Sequence, residues 1–100
     1  MAKRVIWSRN ALEDKLRILD YWNKRTLSKS YSMRLNQSLI EAVKILWEFP
    51  ALGRSLPNSD IRFIVRDYYQ IFYRISQNDI RILHIWDSRR NPDCLEVNNQ

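Results

Sequence analysis

The spacing of apolar positions changes once along the chain, between Pro50 and Ile61. Before Pro50 the apolar residues recur every three to four positions, which is helical spacing. Leu12, Leu16 and Leu19 follow it, with Ile18 and Trp22 beside them, and Tyr31, Leu35, Leu39, Ala42 and Leu46 follow it again. After Ile61 strand-forming residues alternate with arginines, broken only by the polar turn Ser76-Gln77-Asn78-Asp79. That stretch predicts an antiparallel meander.

The boundaries follow from local chemistry. Val5-Ile6-Trp7 is a short strand candidate. Ser8 or Asn10 can cap the first helix by accepting from a free first-turn amide, and Asn10 with Glu13 resembles a capping box. This helix should run to about Lys24. Ser28 or Ser30 should cap a second, longer helix that ends at Phe49-Pro50, because the residue before proline avoids the helical region. The connector is short, so the helices form an antiparallel hairpin. Pro50-Ala51-Leu52-Gly53-Arg54 is a turn containing the only glycine, where a positive φ is expected. The meander strands are expected at Ile61–Arg66, Tyr69–Ile75 and Ile80–Trp86. The middle one carries large groups on both faces, as a central strand does. The order β-α-α-β-β-β gives an α+β fold, a helical hairpin on a small, mostly antiparallel sheet, in one domain spanning residues 1–100.

The second helix holds more apolar positions than one buried stripe requires. Met33, Ile40, Val43 and Trp47 widen its arc to roughly twice the minimal 100°. Either the helix is sandwiched between the first helix and the sheet, or Ile40 and Trp47 line a partly open groove that a partner covers.

Composition narrows the chemistry. The net charge is +6, which suits an anionic partner without naming one. Most of the excess sits in the first thirty residues, on Lys3, Arg4, Arg9, Lys15, Arg17, Lys24, Arg25 and Lys29. One glycine excludes a Gly-rich phosphate loop, and one histidine with one cysteine (Cys94) cannot form a His/Cys metal site. No cofactor or metal is expected. The lone cysteine fits a reducing compartment, and no segment approaches the roughly 20 apolar residues of a membrane span. A soluble, cytoplasmic chain without a signal peptide is the expectation.

Two sets of residues carry candidate chemistry. His84 is either a strand histidine held by one hydrogen bond or a general acid or base. Arg62, Arg66, Arg74 and Arg81 sit at strand spacings. They are either a solvated face paired with Asp67, Asp79 or Asp87, or guanidinium forks for phosphate or carboxylate. Arg89 and Arg90 follow the last expected strand and are the most accessible pair. The expected target-binding surface is Arg62, Arg66 and Trp86 with Arg89 and Arg90.

Over nearly its whole length the chain resembles the RelE/ParE superfamily of toxins from bacterial toxin–antitoxin modules. The resemblance rests on Val5-Ile6-Trp7-Ser8 with Ala11, on Phe49-Pro50-Ala51-Leu52-Gly53-Arg54, on Arg62-Phe63-Ile64-Val65, on Tyr69-Gln70-Ile71-Phe72-Tyr73-Arg74, and on Ile82-Leu83-His84-Ile85-Trp86 with Arg89-Arg90. It implies a cognate antitoxin, for which Met33, Ile40 and Trp47 are the expected contacts, and a toxin–antitoxin hetero-oligomer. RelE-type members cut messenger RNA on the ribosome with a central-strand Arg and a late Arg followed by Tyr or His. Here the central-strand position is Gln70. Arg89 or Arg90 matches the late Arg, and Asp93 or Cys94 falls where the late Tyr would be. ParE-type members are similar in the Tyr69–Arg74 segment, lack those nuclease residues and poison DNA gyrase. The resemblance therefore implies a ParE-like topoisomerase inhibitor. The alternatives are a ribosome-dependent endoribonuclease using His84, Arg74, Arg89 and Arg90, and an inactive member that only binds its partner and stabilises a plasmid.

Overall fold

The computed structural model describes residues 4–88. The elements run β1 (Arg4–Trp7), α1 (Arg9–Thr26), α2 (Ser30–Glu48), a 3₁₀ turn (Pro50–Leu52), β2 (Arg54–Ser55), β3 (Ile61–Arg66), β4 (Tyr69–Ile75) and β5 (Asp79–Asp87). The helical hairpin and the meander stand where the spacing placed them. The short β2 is an addition, paired antiparallel to β3 through Arg54–Phe63 and Ser55–Arg62.

The five strands lie in the order β1-β5-β4-β3-β2. β4 is central, as its two apolar faces required. The β3–β4–β5 ladder is antiparallel, and β1 joins β5 in parallel. One side of the sheet takes the helices. Tyr69, Ile71 and Tyr73 of β4 and Ile80, Ile82 and Ile85 of β5 pack there against Leu35, Leu39, Ala42, Val43 and Leu46 of α2 and Ala11 of α1.

Ser8, one of the two expected caps, caps α1 by accepting from the Ala11 amide at 3.0 Å, whereas Glu13 pairs with Arg9 rather than closing a box with Asn10. At α2 the cap position is Lys29 and has no side-chain cap bond, while Ser28 Oγ accepts from the Ser30 amide. Leu12 and Leu16 are exposed, at 44% and 64%. The buried side of α1 is instead Ala11, Ile18, Leu19 and Trp22. Ala11 lets the helix axis come close to the sheet, and Trp22 Nε1 donates to the buried Tyr69 hydroxyl at 2.7 Å. Together these turn Leu12 and Leu16 outward while Leu19 stays inward.

Gly53 does not adopt a positive φ; it is extended at φ −73° and ψ 160°. It is glycine because of a close approach. A Cβ there would stand 2.5 Å from the Tyr73 hydroxyl and 2.7 Å from the Phe63 carbonyl oxygen. The Tyr73 hydroxyl accepts from the Gly53 amide at 2.9 Å and donates to the Pro50 carbonyl at 2.7 Å. The turn after α2 is thus fastened to the central strand.

Candidate functional site

β1 is an edge strand, and the backbone on its outer side is the first part of the site. The Arg4 amide donates to Asn78 O and the Ser8 amide to Ile82 O. Even-numbered residues therefore face β5, and the amides and carbonyls of Val5 and Trp7 turn to the outer edge. Among the described residues no strand pairs that edge. The side chains of Val5 and Trp7 point to the helix side, where they pack against the core.

Between this edge and α2 lies an open groove of about 480 Å³, lined by Val5, Trp7, Ile40, Val43, Lys44, Trp47 and Glu48. Its walls are apolar and its rim is charged. Lys15 of α1 holds its ammonium 4.8 Å from the Trp7 ring centroid. Trp47 remains 43% exposed. The widened arc of α2 is thus resolved: Val43 enters the core, while Ile40 and Trp47 border open space. Met33 lies two turns nearer the helix start, is exposed, and is not among the groove residues. Val5, Trp7 and Lys44 belong to the groove but escaped the sequence reading. Only the alternation in Val5-Ile6-Trp7, with an aromatic on a short strand, could have pointed to them.

The arginines separate into two groups. Ile64 packs against the core, so Arg62 and Arg66, two residues away on either side, share its helix-facing side. Arg62 donates to the Gly53 carbonyl at 2.8 Å, and Arg66 Nε donates to Ser38 Oγ of α2 at 2.8 Å. Both tie β3 to its neighbours. Arg74 and Arg81 stand on the opposite, open face, since Tyr73, Ile75, Ile80 and Ile82 point inward. Arg74 is paired with Asp60 at 3.1 Å. Trp86 is half-buried and opposite Gln70. Arg89 and Arg90, like Asp93 and Cys94, lie outside the described residues.

His84 sits at a β-bulge. The register between β4 and β5 slips between Phe72 and Tyr73, so that Phe72 faces His84 while Tyr73 faces Ile82. Leu83 is the extra residue. β1 ends its pairing at Ile82, and past that point α1 covers the edge of β5. Ser8 Oγ donates to the Leu83 carbonyl at 2.9 Å, and Asp14 Oδ2 accepts from the Ile85 amide at 3.0 Å. The same carboxylate oxygen lies 3.1 Å from His84 Nδ1. His84 is therefore part of a helix–sheet joint. It is not brought beside Arg74, which pairs with Arg81 beyond the bulge. Among the described residues no group of three His, Cys, Asp or Glu could hold a metal ion, and no helix is long and apolar enough to cross a membrane.

A helical hairpin on a five-stranded mixed sheet, with an edge strand whose outer side opens on an apolar groove, defines a small α+β protein. The family model for the ParE toxin of the type II toxin–antitoxin system parDE matches residues 5–92. The chain belongs to that family. Its fold is similar to a solved structure described as a chromosomal ParDE toxin–antitoxin system from P. aeruginosa, with a TM-score of 0.74 and 22% sequence identity, over 84% of this chain and 94% of that one. No curated protein matches the chain in sequence. Membership makes the chain the toxin of a type II toxin–antitoxin pair, with a cognate antitoxin as its partner.

Proposed function

We propose that the chain poisons a DNA topoisomerase of the gyrase type, in the cytoplasm, and that its antitoxin neutralises it by occupying the groove between β1 and α2. What supports the first half is the lack of an assembled nuclease centre among the described residues. Gln70 holds the central-strand position, and His84 and Arg74 sit on opposite sides of the bulge, with His84 engaged by Asp14. Arg62 and Arg66 bond to the Gly53 carbonyl and to Ser38 on the helix side and, being half-exposed, remain target-contact candidates there. Arg89 and Arg90 remain target-contact candidates by their place in the sequence.

For the antitoxin, the supporting observation is the groove. An amphipathic segment fits it: apolar side chains between Trp7, Ile40 and Trp47, acids toward Lys15 and Lys44, and backbone bonds to the outer edge of β1. Met33 extends the same surface along α2.

Purified toxin is incubated with gyrase and relaxed plasmid, and separately with translating ribosomes and mRNA. Loss of supercoiling with intact mRNA is the expected result, unchanged in a His84→Ala protein. Ribosome-dependent mRNA cleavage that His84→Ala abolishes would transfer the activity to the nuclease reading. Inertness in both assays would leave a partner-binding protein only. For the groove, Ile40→Asp and Trp47→Asp proteins that stay folded should bind the antitoxin at least tenfold more weakly. Unchanged affinity places the interface elsewhere.

A further inference from the structure

The sheet face turned away from the helices carries a charge arrangement that folding alone disfavours. Arg74 of β4 and Arg81 of β5 are direct cross-strand partners, and both are exposed. Like charges directly opposite each other destabilise a strand pair. Asp60 offsets one of them, with its two carboxylate oxygens 3.2 and 3.1 Å from Arg74 Nε. Among the described residues no ion pair holds Arg81. Arg4 and Arg54 are exposed on the same face, Arg4 beside Asp79 and Arg54 beside Phe63. Asp79 itself accepts from Ser76 Oγ.

We propose that this open face binds an extended acidic protein segment, with its carboxylates seated on the Arg74–Arg81 pair. Asp60 already shows that a carboxylate fits against Arg74. The register sets four side chains in one row across the strands, Ile6, Arg81, Arg74 and Ile61. The two cations are thus bracketed by apolar groups, which suits a peptide mixing acidic and apolar residues. A nucleic-acid strand would instead want exposed rings on which to stack bases. The rings at the middle of this face are packed against each other: Phe72 is 1% exposed, and its centroid lies 5.6 Å from that of Phe63. The surface is distinct from the groove, which opens on the helix side of β1.

The probe is an octapeptide alternating glutamate and valine, titrated at low salt, with a lysine–valine octapeptide and a single-stranded RNA of equal charge as comparisons. The glutamate peptide should bind more tightly than either. The Arg74→Ala/Arg81→Ala protein should lose at least tenfold, and Arg81→Lys should lose less than Arg81→Ala because it keeps charge without the fork. Arg81→Thr should hold or raise Tm, since it removes the like-charge opposition and adds a strand-favouring residue. No binding by the glutamate peptide, an unchanged affinity in the double variant, tighter binding of the RNA, or a clear fall in Tm for Arg81→Thr would each overturn the proposal. Neither readout involves topoisomerase or antitoxin, so the outcome stands apart from that of the function proposed above.

Discussion

Tyr73 shows how much one side chain can organise. It is fully buried on the central strand, yet its hydroxyl reaches Gly53 and Pro50 in the turn after α2. Burial pushes the phenol's pKa above the ordinary 10.0, against weaker downward pulls from the Gly53 amide and the Arg62 guanidinium. In the unfolded chain the phenol ionises at its ordinary value. Above 10.0 the unfolded state therefore releases a proton that the folded state keeps. This contribution to stability is complete below 10.0 and is lost as pH rises through the raised folded value. Tyr73→Phe should cost about 1–3 kcal/mol in urea unfolding at neutral pH, because the Gly53 amide is left without its acceptor. Its stability should also decline less steeply than the parent's above 10.0. Gly53→Ala should destabilise by about 1–3 kcal/mol through overcrowding against the same hydroxyl.

The joint between α1 and β5 is an exchange of partners at a sheet edge. β1 is too short to cover β5 beyond Ile82, and an uncovered edge leaves unpaired amides. Asp14, whose side chain is only 15% exposed, supplies the acceptor for Ile85 and also meets His84 and Arg17. Asp14→Ala should cost about 1–3 kcal/mol and speed hydrogen exchange at the Ile85 amide relative to Ile82. Leu16, on the other flank of the helix, is 64% exposed. Leu16→Lys should change stability by no more than about 0.5 kcal/mol in the same unfolding assay. A helix rolled to bury its leucines would give the reverse ranking.

Taken as one body, the toxin presents an apolar groove on its helix side and a basic sheet face behind it. The groove joins β1 to α2, whose lining residues lie more than thirty positions apart in sequence. Trp7 and Trp47 line it together. In calorimetric titrations with the antitoxin, Trp7→Leu and Trp47→Ala should therefore couple, with a double-mutant interaction of about 0.5–3 kcal/mol. Independent losses would mean that the antitoxin touches them at separate sites.

The sequence by itself determined the elements other than the short β2, because helix and strand periodicities are local properties of spacing. It set both helices, the bounds of β3 and β4, and the central place of β4, whose faces are both apolar. The tertiary structure alone decided which face of α1 is buried, since that depends on Asp14 meeting a distant amide and Trp22 a distant hydroxyl. It decided why residue 53 is glycine, because the obstructing atoms come from Tyr73 and Phe63. It also decided which arginines bond toward the helix side and which stand on the opposite face of the sheet. Spacing puts Arg62, Arg66, Arg74 and Arg81 on strands, but only strand order and register show that the first two bond inward and the last two face each other. Such choices rest on contacts between residues far apart in the chain, and no local pattern records them.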